Sequence, residues 1–142
     1  MCNDLQKARQ LLDVGDYTCV LCRGSQLYTS TQRGVAPLLT WLDAGTSLQG
    51  FSAADRVVGK ATAYLYCLLG VQQVYARVMS KPALEVLQQN RIAASWDTLV
   101  EGIENRQKTG PCPMEHATRH CTTAENALEA IHKTLQQLQQ AT

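Results

Sequence analysis

The chain has 142 residues, of which 45% are hydrophobic and 18% are charged, and its formal net charge is +1 at pH 7. A chain of this length buries roughly 68–70% of the surface that its unfolded form exposes, so it needs neither disulfides nor a metal ion to fold. The small net charge argues against DNA or RNA as partners, because proteins that bind nucleic acids usually carry a strongly basic surface.

The sequence also lacks the patterns of export and membrane insertion. The first residues do not combine a basic segment with an apolar core, as a secretory signal would. The longest apolar region, Val57 to Val71, is interrupted by Lys60 and is shorter than the ~20 residues of a membrane-spanning helix. We therefore expect a cytoplasmic protein of one domain, residues 1–142, with no membrane partner and with its six cysteines reduced.

A helix and a hairpin are predicted first. Apolar residues between Leu5 and Leu12 recur at helical spacing, and Gly15 is a typical C-terminal stop. The segment YTCVLCRGSQLYTST predicts two strands joined by a turn that contains Gly24. The first of these strands is apolar on both faces, which is typical of a strand that is covered on both sides.

Two helices are predicted next. The segment GVAPLLTWLDAG has Pro37 in its first turn, where proline is tolerated, and ends at Gly45. The segment SAADRVVGKATAYLYCLLGV is apolar nearly all round, which predicts one buried central helix. Ser52, followed three residues later by Asp55, resembles a capping box, and Gly70 ends the helix.

The second half of the chain alternates between strands and helices. QVYARVM predicts a strand that leads into the helix PALEVLQQN, with Pro82 at its first position, and RIAASW is another strand candidate. After the loop ENRQKTGPC, a short helix begins at Pro113, and Thr122 with Glu125 resembles a second capping box before the last helix. Such alternation predicts an α/β fold, a mixed sheet with helices on both faces.

Two segments carry a resemblance to a known family. DRVVGKATAYLYCLLGVQQVYARVMSKPALEVL and NRQKTGPCPME resemble a widespread prokaryotic family of uncharacterised domains, a domain of unknown function with a cytidine-deaminase-like fold. The resemblance runs from about Tyr17 to Ile131. It is specific at Asp55, at Gly59-Lys60, in the strand VYARVMS, and in the block Arg106…Gly110…Cys112-Pro113-Met114-Glu115. It implies a three-layer α/β/α sandwich with a mixed sheet of about five strands, and no established activity.

The chain departs from true deaminases at the zinc site. A zinc deaminase needs His/Cys-x-Glu at the start of the central helix and Pro-Cys-x-x-Cys after the next strand. The corresponding segments here read ADRVVGKA and SKPALE, and neither contains His or Cys. We therefore expect no zinc-dependent deamination at the usual place, and no metal or other cofactor.

Asp55, Gly59 and Lys60 form the first candidate site. A helix N-terminus offers unpaired N–H groups to an anion, and small residues let a ligand approach closely. This pattern predicts a pocket for a phosphate or carboxylate, with Lys60 as the counter-charge and Asp55 as a polar contact or base. The alternative is that Asp55 complements the helix dipole and Lys60 extends into water.

Ser80 and Arg106 are further candidates for contacts with a ligand. Ser80 lies where a strand leads into a helix, at the edge where α/β sheets usually bind ligands, although it is also a suitable N-cap for the following helix. Arg106 could clamp a carboxylate or phosphate with two hydrogen bonds, or pair with Glu101 or Glu104 on the surface.

Cys112 and Glu115 form the last candidate site. A cysteine at the helix start before Pro113 has its thiolate stabilised, and Glu115 could oppose this or carry a proton. A zinc site with the spacing C-x3-H-x3-H-C from Cys112 to Cys121 is the alternative, but helical geometry places its two cysteines on opposite sides. A purely structural role for this stretch is also open.

Together these patterns predict a domain that binds a small anionic or nucleotide-like ligand without zinc, with catalysis on that ligand left open. The predicted site consists of Asp55, Cys112 and Glu115 as catalytic candidates and Gly59, Lys60, Ser80 and Arg106 as ligand contacts. The alternative is a non-catalytic regulatory or scaffold domain that forms a homo-oligomer through its apolar helices.

Overall fold

A computed structural model describes residues 4–32, 34–103 and 112–140 of the chain. The helices are α1 (Asp4–Val14), α2 (Ala36–Asp43), α3 (Lys60–Leu69), α4 (Lys81–Gln89), α5 (Pro113–Thr118) and α6 (Ala124–Gln140). The strands are β1 (Cys19–Arg23), β2 (Gln26–Ser30), β3 (Ser52–Val58), β4 (Gln73–Ser80) and β5 (Ala93–Val100).

The strands form one mixed five-stranded sheet in the order β2-β1-β3-β4-β5. Strand β1 is antiparallel to both of its neighbours, whereas β3, β4 and β5 are mutually parallel. The parallel strands alternate with α3 and α4 along the chain, as crossover connections require. The α/β fold with a mixed sheet of about five strands is therefore confirmed.

Helices cover both faces of the sheet and form the two outer layers of a sandwich. Helix α1 packs on one face, against β1, β3 and β4, and helix α3 lies on the opposite face, where it contacts α2, α4, α5 and α6. The larger core lies beneath α3 and the smaller one beneath α1. This arrangement confirms the three-layer α/β/α sandwich.

Strand β1 confirms the prediction of a strand covered on both sides. Cys19 and Leu21 belong to the core beneath α3, whereas Val20 and Cys22 belong to the core beneath α1. All four side chains are at most 2% exposed. Alternate side chains of a strand point to opposite faces, so an apolar run without alternation marks burial on both faces.

The prediction of a helix beginning at Ser52 is wrong. Residues Ser52–Val58 form the central strand β3, and α3 begins only at Lys60, with Gly59 as its N-cap. Ala53 and Ala54 face opposite cores and are both fully buried. A strand buried on both faces shows no alternation of polar and apolar residues, and alanines have no preference for strands. The apolar pattern of β3 therefore continued into that of α3, and the two together resembled one helix.

Two smaller predictions also change. Helix α6 is capped by Thr123, whose Oγ1 accepts a hydrogen bond of 3.2 Å from the Asn126 N–H, so the capping box placed at Thr122 is wrong by one residue. Strand β5 begins at Ala93 and continues beyond the predicted segment RIAASW as far as Val100. Within the described part of the chain, no helix is long and apolar enough to cross a membrane, and no disulfide joins the described cysteines to one another.

Candidate functional site

Asp55 lies in the middle of the sheet, not at a helix start. It is paired with Cys19 across the antiparallel β1–β3 ladder. Tyr66 of α3 contacts both residues: its Oη donates a hydrogen bond of 2.7 Å to Asp55 Oδ2, and Cys19 Sγ lies 3.2 Å from the same Oη. We call Asp55, Tyr66 and Cys19 the Asp55 cluster.

The Asp55 cluster is a set of titratable groups in an apolar environment. Tyr66 is fully buried and Cys19 is 2% exposed, whereas Asp55 keeps partial contact with solvent. Beside it on the same strand, Val57 is 43% exposed, and its N–H donates a long hydrogen bond of 3.4 Å to Asp55 Oδ1. Asp55 Oδ2 therefore faces the core and Tyr66, while Oδ1 has capacity for a further donor.

Burial sets the protonation of this cluster. It raises the pKa of the Asp55 carboxyl from 3.8 to about 6, against the opposing effects of the Tyr66 hydrogen bond, the backbone N–H groups of Val57 and Arg56, and the Arg56 charge. Burial and the negative charge of Asp55 raise the pKa values of Cys19 and Tyr66 well above their usual range. Asp55 is therefore the member of the cluster that changes charge near neutral pH.

Glu115 caps the N-terminus of α3. Its Oε1 accepts a hydrogen bond from the backbone N–H of Lys60, the first residue of this helix. Gly59 leaves room for the carboxylate, since a Cβ atom at this position would lie 2.9 Å from Glu115 Cδ and 3.1 Å from Ile103 Cγ1. The first N–H groups of a helix lack partners, so a carboxylate here stabilises the helix.

Two further hydrogen bonds fasten residues 112–121, which we call the α5 segment, to α3. Lys60 Nζ donates to the Arg119 carbonyl at 3.0 Å, and Tyr64 Oη donates to the Cys121 carbonyl at 2.9 Å. Burial raises the pKa of Glu115, and the backbone hydrogen bond and charge of Lys60 oppose that effect. The family-like positions Gly59, Lys60 and Glu115 thus meet at one structural joint.

Ser80 is the N-cap of α4. Its Oγ accepts a hydrogen bond of 3.2 Å from the Ala83 N–H, and the residue is fully buried. Of the two roles considered for this serine, the cap is therefore the one formed in this conformation, and contact with a ligand stays a prediction.

Cys112 is the N-cap of α5, as predicted, and is partly buried. Its backbone N–H donates to the Ile103 carbonyl at 2.9 Å, and among the described residues no hydrogen bond joins its thiol to Asp55 or Glu115. Arg106 lies outside the described residues, so its placement stays a prediction.

His116 of the α5 segment contacts an arginine of the same segment. His116 Nδ1 lies 2.6 Å from Arg119 Nη1, at the exposed surface. In residues 4–32, 34–103 and 112–140, no three His, Cys, Asp or Glu side chains are grouped closely enough to hold a metal ion.

Two surface grooves lie away from the Asp55 cluster. One, of about 540 Å³, separates α5 from α6, and the other, of about 350 Å³, lies between α3 and the start of α6. Their linings include His116 and Lys133 in the first and Tyr64 and Glu125 in the second, and neither lining includes Asp55.

The sequence predicted Asp55 as a functional residue but not its partners. Cys19 fitted the pattern of a packing thiol and Tyr66 that of a core aromatic, because Cys19 begins the apolar run CVLC and Tyr66 lies within the run AYLYCLL. The available signal was the acidic residue inside the segment AADRVV: once that segment is a central strand, its aspartate needs a buried polar partner from a neighbouring element.

Comparisons with known proteins place these features in context. A family profile described as "Domain of unknown function (DUF1893)" matches residues 7–135. The crystal structure of a DUF1893 family protein (TM1506) from Thermotoga maritima is similar over 94% of this chain and 90% of that chain, with 22% identity and a TM-score of 0.86. This similarity shows the fold.

A second solved structure is more distant. The apo form of dCMP deaminase from the cyanophage S-TIM5 is similar over 66% of this chain and 93% of that chain, with 14% identity and a TM-score of 0.43. No curated protein matches the chain.

Proposed function

Since the chain belongs to DUF1893, a family of domains of unknown function, we propose from its own residues that it binds a small anionic, nucleotide-like molecule through Asp55. The ligand's N–H groups donate to Asp55 Oδ1, and its anionic group lies at the carboxyl edge of the parallel strands. No deaminase-type zinc triad takes part in this proposal.

The observation that supports it is an ionisable carboxylate in the central strand of the sheet. Burying a carboxylate destabilises the fold, and Asn or Ser in place of Asp55 would make hydrogen bonds without a charge. Groups with strongly shifted pKa values concentrate at functional sites. Asp55 combines such a shift with partial exposure of the residue to solvent, which suits it to bind a donor and to accept a proton from it.

The carboxyl edge of the sheet supplies positive charge for the anionic group. Val58 and Met79 are paired in the parallel β3–β4 ladder, and Lys60 and Lys81 each follow two residues later, so both lysines lie at the carboxyl edge of the sheet. Ligands of α/β sheets usually bind at this edge, and lysines are common partners of phosphate groups.

The present partners of these lysines are exchangeable. Lys81 pairs with Glu101 at 2.6 Å, but the two side chains are 52% and 85% exposed, and such surface ion pairs contribute about 0–1 kcal/mol. Lys60 bonds to the Arg119 carbonyl. The N-terminus of α3 itself is already capped by Glu115, so in this proposal the anionic group contacts the lysine side chains.

The proposal predicts nucleotide binding that depends on Asp55. Isothermal titration calorimetry with AMP, GMP, CMP and UMP should detect binding of at least one of them to the parent protein. The Asp55→Asn variant should bind that nucleotide roughly 10–100-fold more weakly, because a hydrogen bond to a charged group contributes about 1.5–3 kcal/mol.

Two controls test the specificity of binding: one replaces another carboxylate of the protein, and the other replaces the nucleotide by phosphate alone. Asp97 Oδ2 likewise accepts a hydrogen bond from a tyrosine hydroxyl, that of Tyr75 at 2.6 Å, but Asp97 is an exposed residue of β5. Asp97→Asn should therefore leave the affinity for the nucleotide unchanged. Inorganic phosphate should bind more weakly than the nucleotide. The proposal is wrong if no nucleotide binds at millimolar concentration, or if Asp55→Asn binds as tightly as the parent.

A further inference from the structure

The hydroxyl of Tyr66 lies between two groups that cannot both receive its proton. It is 2.7 Å from Asp55 Oδ2 and 3.2 Å from Cys19 Sγ. A tyrosine carries one hydroxyl hydrogen, a thiol is both a weak donor and a weak acceptor, and an ionised carboxylate only accepts. The directions of the two hydrogen bonds are therefore coupled.

From this geometry we infer that Cys19, Tyr66 and Asp55 form a hydrogen-bond chain that reverses direction when Asp55 takes up a proton, and that Tyr66 and Cys19 position the Asp55 carboxyl. The positioning role rests on the proposed ligand contact of Asp55, whereas the chain itself does not.

With Asp55 ionised, the chain has one direction. Tyr66 donates its hydrogen to Asp55 Oδ2, and its oxygen is then free to accept the Cys19 S–H. When Asp55 gains a proton from solvent, that proton lies on Oδ2, because the Tyr66 oxygen can accept it, whereas the Val57 N–H at Oδ1 can only donate. Asp55 now donates to Tyr66, and Tyr66 donates to Cys19 Sγ. No proton moves between Tyr66 and Cys19; their hydrogens only rotate.

The surroundings leave Asp55 as the group whose protonation sets the direction. On β1 its register partner is Cys19, on α3 its partner is Tyr66, and on β4 the paired residue is Ala76. The nearby charge on its own strand is Arg56, whose Nε donates to the Tyr17 carbonyl at 2.7 Å. Burial keeps Tyr66 and Cys19 protonated in both states.

Positioning follows from the same chain. Tyr66 holds Oδ2 against the core, so Oδ1 is presented to the exposed side of Val57 in one orientation. An acceptor that is fixed in place before a ligand binds reduces the ordering that binding requires. Proton uptake at Asp55 Oδ2 also reverses the hydrogen bond between Tyr66 and Cys19, a thiol that is 2% exposed.

Infrared spectroscopy of the intact protein tests the chain through the S–H stretching band of Cys19. The band is isolated by subtracting the spectrum of Cys19→Ala from that of the parent. At about pH 8 the thiol donates and its band lies at lower frequency; at about pH 5, where Asp55 is protonated, it should shift to higher frequency. In Tyr66→Phe the band should not change with pH.

The matched control is Cys22→Ala, which isolates a buried thiol on the opposite face of the same strand; that band should be independent of pH. A Cys19 band at the same frequency at both pH values would overturn the inference, as would a shift that survives in Tyr66→Phe. The parent protein alone shows whether the Cys19 band changes with pH, even if Tyr66→Phe fails to fold. A shift without nucleotide binding would refute the proposed function and leave the chain standing.

Discussion

Replacing Asp55 by Asn should raise the free energy of unfolding at about pH 8, by up to roughly 3 kcal/mol. The native carboxyl has its pKa raised from 3.8 to about 6, and each pKa unit corresponds to about 1.36 kcal/mol. Asn fills nearly the same volume and retains hydrogen-bonding capacity towards Tyr66. Urea denaturation of both proteins measures the difference.

The sign of the pH dependence follows from the direction of the shift. The folded protein holds the Asp55 proton more tightly than the unfolded chain does, so the contribution of Asp55 to stability is fully present below pH 3.8 and is lost as the pH rises through about 6. The stability gained by Asp55→Asn should therefore grow from about pH 4 to about pH 7 and then level off.

The control for this effect is Asp97→Asn, which removes an exposed carboxylate with the same kind of tyrosine partner. A surface substitution of this kind usually changes stability by less than about 0.5 kcal/mol. If Asp55→Asn is no more stable than the parent at about pH 8, burial of the charge does not destabilise the fold, and the argument for a retained functional carboxylate fails.

Replacing Gly59 by Ala should destabilise the protein by roughly 1–3 kcal/mol, the usual effect of forcing an extra methyl group into a packed site. The backbone of Gly59 is extended (φ −99°, ψ −177°), a conformation that any residue adopts, so the expected loss comes from lack of space. The added Cβ would displace the Glu115 carboxylate, with Ile103 restricting its other side, and α3 would lose its cap.

A double-mutant cycle with Glu115→Ala isolates this cause. Glu115→Ala alone should lose roughly 0.5–2 kcal/mol with the cap, and the double variant should lose less than the sum of the two, because the clash partner is gone. Gly102→Ala is the matched control, since among the described residues no atom beyond those of Gly102 and its two chain neighbours lies within 4 Å of the added Cβ. Additive losses in the cycle would mean that Gly59 and Glu115 do not share a joint.

The fold could be predicted where the sequence carried a local signal. The hairpin turn at Gly24 and the start of α4 depend on residues whose backbone preferences are strong. The turn was predicted correctly, and α4 begins at Lys81, one residue before the predicted start at Pro82. Strand β3 carries no such signal. Its identity as a strand depends on helices packing on both of its faces, which are distant in sequence.

The candidate site could be predicted residue by residue but not as an arrangement. Asp55, Gly59, Lys60 and Glu115 were all selected, yet Asp55 pairs with Tyr66 while the other three meet at the start of α3. Which residues meet depends on strand register and on the path of the α5 segment, and neither is encoded locally. The single domain, the cytoplasmic location and the homo-oligomer stay predictions.

The most direct test of the central claim is a titration of the Asp55 carboxyl, followed by its ¹³C chemical shift in protein labelled at aspartate and assigned by comparison with Asp55→Asn. The free protein should show a midpoint near 6. Adding the nucleotide that binds most tightly should lower that midpoint, because N–H donors to the ionised carboxylate stabilise it. A midpoint near 3.8, or one near 6 that the nucleotide leaves unchanged, would contradict the account.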